Sequence, residues 1–359
     1  MCSLVLDGQM GPEYDVIAQN TISFSTDGAR LGYGAKKGSK CFMIVDGKPI
    51  AEYDNVEFFA NTPIFSPDSK RIAYGFGAGD KRYMVIDGIA GPPFDSIGSL
   101  EFSSDSKRVI YAVRKGEKDY VITGGVPGPA CEALDSLSFS PDGKHIAYVA
   151  KINGKETVIL DNEAQQQYDG IGKDTLAFSP DSSTMAFMAR RGNTCLIVVN
   201  GNEDESCDGI VQGSWLFGPT GHRLAYVGSR GEEHFAVIDG TPGPVYDNIP
   251  SDSLLFSRDG QRVAYSACKN GRWRVVLDGS EGPPYNGIER GSLVFSPDGD
   301  HLAYGAYPGK KLTIALDHVP GNEYDGLVMN GPSFVGVDTL EFLAFRNKHF
   351  FRVQYELRR

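Results

Sequence analysis

One short pattern recurs along this chain at intervals of 37 to 41 residues, and it constrains the fold more than any other feature. The pattern is a phenylalanine followed in most copies by Ser-Pro-Asp-Gly or a close variant. Its phenylalanines are Phe24, Phe65, Phe102, Phe139, Phe178, Phe217, Phe256, Phe295 and, in a degenerate ninth copy, Phe334. A fixed period of roughly 20–50 residues indicates an array of identical supersecondary units. We therefore expect one repeat architecture to run through the whole chain.

Each repeat is predicted to contain four β-strands. In the fourth copy, residues 137–140 form the first strand, which Pro141-Asp142-Gly143 closes as a tight turn. Residues 146–150, Ile-Ala-Tyr-Val-Ala, follow as a second strand that is apolar on both faces, as expected for a sheet covered on both sides. A third, β-branched strand ends in Asp-Gly, as at residues 84–88, which is a hairpin signal. Residues 246–249, Tyr-Asp-Asn-Ile, are typical of a short fourth strand.

The order Phe-Ser-Pro-Asp-Gly, then a basic residue, then Ile-Ala-Tyr resembles the WD-repeat-like propeller units of TolB-type proteins, over nearly the whole chain. The resemblance implies an all-β, single closed β-propeller made of four-stranded radial blades. It also implies that the Phe-Ser-Pro-Asp strand is innermost and that the Tyr-Asp strand is outermost. It indicates the fold and implies no particular partner.

The strand count predicts how such a ring would close. Eight repeats are complete, and residues 332–356 supply three more strands. Residues 3–17 supply a third-type and a fourth-type strand, so the two ends together would complete a ninth blade. We therefore expect residues 1–359 to form one propeller domain of nine blades, because closure removes exposed sheet edges. The alternative is an eight-bladed ring with a ragged ninth unit packed outside it.

Two slots of the fourth strand repeat almost without exception. The first is aromatic in seven copies and cysteine in the other two, Cys131 and Cys207. An exposed aromatic ring could bind sugars or peptides, but packing between blades is the simpler reading. The second slot is acidic in eight of nine copies, with Asn286 as the exception. We expect these carboxylates to accept hydrogen bonds from turns rather than to share a calcium ion.

Histidine and cysteine form no recognisable site in the sequence. His145, His222 and His301 are predicted to begin second strands, where other copies carry Lys or Arg, so they are interpreted as residues beside a turn. Cys195 and Cys207 face each other across one hairpin and are the one plausible disulfide pair. Because most of the cysteines are expected to be reduced, the cysteine pattern weakly favours a cytoplasmic location.

Charge and composition exclude several classes of function. The net charge of −11 and the pI near 5.1 argue against a nucleic-acid-binding protein. No apolar run approaches the roughly 18 residues of a membrane span, and the first residues lack the features of a signal peptide. The sequence is that of a soluble protein, for which we expect no membrane partner and a monomeric state.

The loops after the second strands are basic within this acidic chain. In an up-and-down blade they lie on one face, so they would form a basic surface for another protein or an anionic ligand. The alternative is that lysines at hairpin tips serve solubility. The candidate partner-binding residues are Lys36, Lys37, Lys40, Lys81, Arg82, Arg114, Lys115, Arg190, Arg191, Lys310 and Lys311.

The sequence favours a non-catalytic binding scaffold over an enzyme. It contains no nucleophile elbow, no zinc-protease motif and no phosphate-binding glycine loop. Its loops read as short and nearly uniform in length, whereas a propeller enzyme needs irregular loops that gather unlike residues. No catalytic residue, metal ligand or cofactor is therefore assigned. The alternative is a propeller hydrolase or lyase whose catalytic residues lie on divergent loops.

Overall fold

A computed structural model describes residues 1–204, 207–328 and 331–357. The chain divides into two compact units, Met1–Leu176 and Ala177–Arg359. Apart from one 3₁₀ turn, Gln19–Thr21, all regular structure in the described residues is β. These residues form nine antiparallel sheets of four or five strands and one separate two-stranded hairpin. The prediction of an all-β chain built from repeated antiparallel sheets is confirmed.

We number the repeats 1 to 9 by their phenylalanines. The second strand is the long central strand of each sheet. In repeats 1 to 8 it is buried on both faces, as predicted; all of Ile146 to Ala150 are buried, whereas burial alternates along Thr339–Arg346 in repeat 9. Val, Ile, Ala and Tyr dominate these strands because their side chains pack against a neighbouring sheet on either side. The second strands are Leu31–Lys37, Ile72–Ala78, Val109–Lys115, Ile146–Ile152, Met185–Arg191, Leu224–Arg230, Val263–Lys269, Leu302–Tyr307 and Thr339–Arg346.

The third strand pairs with the second through a tight hairpin in every sheet. The fourth strand is much shorter in most repeats and pairs with the third. The third strands are Lys40–Val45, Lys81–Ile86, Lys118–Thr123, Lys155–Leu160, Thr194–Val199, Glu233–Ile238, Arg272–Leu277, Leu312–Leu316 and His349–Glu356. The fourth strands are Lys48–Asp54, Ile89–Ala90, Val126–Pro127, Glu163–Tyr168, Asn202–Asp204, Thr241–Pro242, Ser280–Glu281 and Val319–Tyr324.

The first strand is less regular than the sequence indicated. It is continuous, with a bulge, only in repeats 3 and 4, as Ser96–Phe102 and Ala133–Phe139. In the other repeats a polar turn interrupts it, and we call this segment the inner turn. The pieces before the inner turns are Val16–Ile17, Glu57–Phe58, Gly170–Ile171, Gly209–Ile210, Gly287–Ile288 and Gly326–Leu327. Those after them are Ser23–Phe24, Ile64–Phe65, Ala177–Phe178, Leu216–Phe217, Leu255–Phe256, Val294–Phe295 and Ser333–Phe334.

The two ends of the chain carry the strands that the closure hypothesis requires. Val5–Leu6 and Gln9–Met10 form the separate hairpin, which Cys2 extends by bridging Tyr14. At the other end, His349–Glu356 pairs with Thr339–Arg346. The single nine-bladed domain, with residues 3–17 completing a blade begun by 332–356, stays a prediction.

The hydrophobic core lies between consecutive sheets. One cluster joins Ala73, Met84 and Phe94 of repeat 2 to Tyr111 and Ile122 of repeat 3. The aromatic slot of the fourth strand belongs to such clusters: its side chains are buried in every copy except that of repeat 1, where Tyr53 is half-buried. The packing interpretation of that slot is confirmed, because each sheet needs apolar cover that its neighbour supplies.

The Tyr-Asp segment is a crossing between sheets rather than a fourth strand alone. Tyr246 exchanges backbone hydrogen bonds with His234 in the third strand of its own repeat, at 2.9 and 2.8 Å. Two residues later, Asn248 bridges Cys268 in the second strand of the next repeat. The acidic residue between them therefore stands where one sheet ends and the next begins.

Candidate functional site

A buried serine organises the turn after the first strand. In seven repeats its Oγ donates to the turn aspartate at 2.5 to 2.7 Å and accepts from the backbone N–H five residues later. These hydrogen bonds lower the pKa of the aspartates, that of Asp181 to about 2. The serines are at most 4% exposed. They are structural groups, and none is available as a nucleophile.

The residue that opens the second strand links consecutive sheets. In repeat 7, Arg262 Nε donates to Asp278 at 2.8 Å, and Arg262 Nη1 donates to the carbonyl of Asp300 in repeat 8 at 2.7 Å. Its guanidinium also lies over Phe295 of repeat 8. Arg30, Arg71 and Arg223 repeat this arrangement. In the sequence these arginines are recognisable only as residues beside a turn, and their contacts with the next sheet were not predicted.

Histidine takes the same position in two repeats. His145 Nδ1 lies 2.7 Å from Asp161 Oδ2, and His301 Nδ1 lies 2.6 Å from Asp317 Oδ2. Such His–Asp pairs resemble part of a catalytic triad. They are the counterparts of the Arg–Asp pairs, which accounts for them as turn structure. His222 was assigned to this position wrongly: it lies one residue earlier, and Arg223 opens the strand.

The carboxylates of the Tyr-Asp crossings hold the loops after the second strands. Asp15 Oδ2 accepts from Gly38 N, and Asp95 Oδ2 accepts from Gly116 N, both at 2.7 Å. Equivalent bonds tie Asp247 to Asn270 N in repeat 7. The prediction that these acidic residues accept hydrogen bonds from turns is confirmed. Because they stand beside the basic loops, they also place negative charge on that face.

The eleven candidate partner-binding residues fall into three groups. Five have a carboxylate partner: Lys40 with Asp54, Lys81 with Asp95, Arg114 with Asp119, Arg191 with Glu203 and Lys311 with Asp325. Two, Arg82 and Arg190, donate to backbone carbonyls. The remaining four, Lys36, Lys37, Lys115 and Lys310, are exposed and form no salt bridge within the described part of the chain.

The ion pairs shift the charge balance of these loops. The hydrogen bond to Asp54 raises the pKa of Lys40, and the bond to Asp95 raises that of Lys81. In turn, Lys81 and the Gly116 N–H lower the pKa of Asp95. The opposite charges of each pair therefore largely cancel each other. Within the described residues, the four exposed lysines that form no salt bridge, together with Arg82 and Arg190, carry the positive charge that no ion pair cancels.

Inner turns form the walls of grooves between consecutive sheets. The groove between repeats 7 and 8 has a volume of ≈ 560 Å³, with Trp273 among its apolar side chains. Its acidic residues are engaged: Asp252 accepts from Arg290 Nε at 2.6 Å, and Glu289 accepts from the Tyr307 hydroxyl. A smaller groove of ≈ 340 Å³, lined in part by Lys36, lies between repeats 1 and 2. These turns interrupt the first strand, which the sequence did not predict, and they span five residues in each repeat in which strand pieces flank them on both sides.

The cysteines and the potential metal ligands of the described residues form neither a disulfide nor a metal site. All six cysteines are free, so the Cys195–Cys207 pair is not a disulfide. Burial raises the pKa of Cys131 and Cys207 to about 11, consistent with packing. In residues 1–204, 207–328 and 331–357, no three His, Cys, Asp or Glu side chains are grouped to hold a metal ion. No helix there is both long and apolar enough to cross a membrane.

Comparison with known proteins finds similar folds at low identity. No protein-family model matches the chain, and no curated protein does. A TolB structure from Acinetobacter baumannii is 18% identical, with 70% of this chain and 78% of that chain covered and a TM-score of 0.29. The propeller domain of the Trilobed protease from Pyrococcus furiosus is 14% identical, with coverage of 75% and 96% and a TM-score of 0.33. A Dos1 propeller is 13% identical, with coverage of 84% and 94% and a TM-score of 0.34.

Proposed function

We propose that this chain is a nine-bladed propeller that acts as a non-catalytic binding scaffold for an acidic protein surface. The observation that carries the proposal is the set of exposed lysines without a carboxylate partner on the loops after the second strands: Lys36, Lys37, Lys115 and Lys310. The remaining candidate cations would shape this surface, with five of them held by carboxylates and the other two, Arg82 and Arg190, held by backbone carbonyls.

The regularity of the polar network supports a scaffold rather than an enzyme. The Ser–Asp and His–Asp pairs that could suggest catalysis recur as turn and sheet contacts from repeat to repeat. The hydrolase or lyase alternative has one observation in its favour, the groove of ≈ 560 Å³ beside the inner turns of repeats 7 and 8. The two carboxylates of this groove are already hydrogen-bonded to Arg290 and Tyr307, so we rank catalysis below binding as the function.

Electrostatics gives the proposed binding a testable form. The protein carries a net charge of −11, so it repels anions at long range, and the unpaired lysines attract them locally. Attraction between exposed charges orients a partner and speeds its association. It also weakens as the Debye length falls from about 10 Å at 0.1 M salt to about 3 Å at 1 M.

Poly-L-glutamate serves as the probe for an acidic protein surface. The variant Lys36→Glu/Lys37→Glu reverses two unpaired charges and leaves Lys40 with its partners Glu52 and Asp54. We expect its affinity at low salt to fall about tenfold, mainly through slower association. Surface plasmon resonance over a salt series measures both the rate and the salt dependence.

The matched control is Lys48→Glu/Lys70→Glu. It makes the same change of charge at exposed residues on the turns after the third and first strands, at the opposite edge of the sheets. We expect it to bind almost as well as the unaltered protein. The proposal is wrong if the unaltered protein does not bind the probe at low salt, or if both double variants lose the same affinity.

A further inference from the structure

Repeat 3 breaks a charge pairing that the neighbouring repeats keep. Repeats 1, 2, 4, 6, 7 and 8 pair the Arg or His that opens the second strand with the Asp of the turn after the third strand. Repeat 5 has lost both charges together, with Thr184 and Asn200 in those positions. Repeat 3 retains the cation, Arg108, but carries Gly124 where the others carry Asp.

The intact pair in repeat 2 shows what the aspartate does. Asp87 Oδ2 accepts from Arg71 Nε at 2.8 Å, and Asp87 Oδ1 accepts from the Ile72 backbone N–H at 3.1 Å. One carboxylate thus meets one guanidinium and one backbone donor. The equivalent donors of repeat 3 are Arg108 Nε and Val109 N–H, and glycine at position 124 has no side chain to meet them.

Arg108 is held in place even so. Its guanidinium lies over the ring of Phe139, with 5.2 Å from Cζ to the ring centroid, and its Nη2 donates to the Gly143 carbonyl. Within the described residues, no side chain accepts a hydrogen bond from its Nε and no carboxylate pairs with it. A preoriented cation without a counter-charge favours binding of an anion because little ordering entropy is lost.

A cavity lies at this position. Its volume is ≈ 390 Å³, which lies within the range of small-molecule pockets. Arg108, Val109 and Gly124 line it, together with the apolar side chains of Met84, Ile86 and Ile89. Thr123 lines it as well, and its buried Oγ1 has no hydrogen-bond partner. Lys107 and the Arg71–Asp87 ion pair also line the cavity, so its one carboxylate already has a cationic partner. An orphan hydroxyl and an unpaired guanidinium beside the apolar side chains suit a carboxylate that carries an apolar group.

We propose that this cavity binds a carboxylate with an apolar body, whose oxygens take the place that the aspartate carboxylate has in the other repeats. One oxygen accepts from Arg108 Nε, the other accepts from Val109 N–H, and Thr123 Oγ1 donates to either. The apolar body lies against Met84, Ile86 and Ile89. Two sources share this chemistry: a free aliphatic acid and the C-terminal carboxylate of a peptide. The site is separate from the lysines of the proposed scaffold surface, which lie on the loops after the second strands.

The decisive variant is Gly124→Asp, which supplies the carboxylate from the chain itself. Asp fits there, since Gly124 has φ +58° with no atom within 4 Å of an added Cβ, and Asp87 and Asp46 adopt φ 50° and 52°. The second variant is Gly124→Asn, which follows the example of Asn200 in repeat 5, whose side chain accepts from Met185 N. The matched control is Gly231→Asp, an equal charge change at an open glycine with φ +59°.

Calorimetric titration with hexanoate tests the first source, and an N-acetylated tripeptide ending in leucine tests the second. Hexanamide and the amidated tripeptide are the uncharged counterparts. We expect at least one carboxylate to bind about tenfold or more tightly than its amide, because its charge meets Arg108. Gly124→Asp and Gly124→Asn should each lose that binding, whereas Gly231→Asp should keep it.

The pattern among the ligands identifies the source: hexanoate alone indicates a free acid, and the tripeptide alone indicates a chain terminus. The proposal is overturned if neither carboxylate binds the unaltered protein. It is also overturned if the amides bind equally well, or if both variants at position 124 bind like the unaltered protein.

Discussion

At the scale of single residues, the turn aspartates make the stability of the fold sensitive to acid. The Oγ of Ser257 donates to Asp259 at 2.5 Å and Gln261 N donates at 3.1 Å, and these bonds lower the carboxyl pKa below its ordinary 3.8. A pKa that folding lowers stabilises the native state at pH values above the ordinary pKa. This stabilisation is lost as the pH falls through the native pKa.

We predict that Asp259→Asn lowers the free energy of unfolding at pH 7, because a neutral amide accepts these hydrogen bonds less strongly. The difference from the unaltered protein should shrink below pH 4, where the aspartate itself becomes protonated. Urea unfolding at pH 7, 5 and 3 measures it. The control is Asp300→Asn, whose carboxylate makes no hydrogen bond or ion pair in the described structure. A difference that stays constant with pH would contradict the prediction.

At the scale of the sheets, the arginine that opens the second strand acts between repeats. Arg262 joins Asp278 of its own hairpin to the Asp300 carbonyl and the Phe295 ring of the next repeat. Removing it would leave Asp278 Oδ2 and the Asp300 carbonyl of the next sheet without this donor, while Asp278 Oδ1 would still accept from Val263 N. The loss therefore falls on two sheets at once.

We predict that Arg262→Met lowers the free energy of unfolding by about 1–3 kcal/mol, the usual cost of losing hydrogen bonds to a charged group. Arg262→His should lose less, because His145 and His301 pair with aspartate in the same position. The control is Arg258→Met, at an exposed arginine of the preceding turn. Urea unfolding of the three variants measures the differences, and equal losses at 262 and 258 would show that the contact between sheets contributes nothing.

At the scale of the whole molecule, the proposal is a ring of nine blades closed by both termini. The N-terminal hairpin, in which Cys2 bridges Tyr14, carries a third-type and a fourth-type strand, and the last repeat ends at its third strand, His349–Glu356. A completed ninth blade would cover the sheet edge at His349–Glu356, so removing the N-terminal strands should cost stability and invite association.

We predict that deleting residues 1–17 lowers the Tm by about 5 °C or more, since 1 kcal/mol shifts the Tm of a large domain by about 2–4 °C. Differential scanning calorimetry measures this change. The control is Met10→Ser, which alters a side chain of the hairpin that is 74% exposed. If the deletion variant has the same Tm as the unaltered protein, the N-terminal segment is not part of the ring.

Local patterns in the sequence predicted the structural features that depend on residues a few positions apart along the chain. The period, the turns after the first and third strands, the doubly buried second strand and the packed aromatic slot all follow from local patterns, and each is present in the structure. These features were predictable because turn residues and apolar alternation act over a few positions. The acidic slot was also read correctly as structural, from its regular recurrence.

The contacts between repeats, and the groups that form them, could not be predicted from the sequence and are seen only in the folded structure. Arg262 meets a carbonyl 38 positions away, and the carboxylates beside the basic loops come from the crossings between sheets. Such contacts depend on how the sheets stack, which no local sequence pattern encodes. For this reason the ion pairs of Lys40 and Lys81 were not predicted. Gly124 is visible as a departure from Asp-Gly, but its consequence depends on Arg108 being held beside it by a neighbouring repeat.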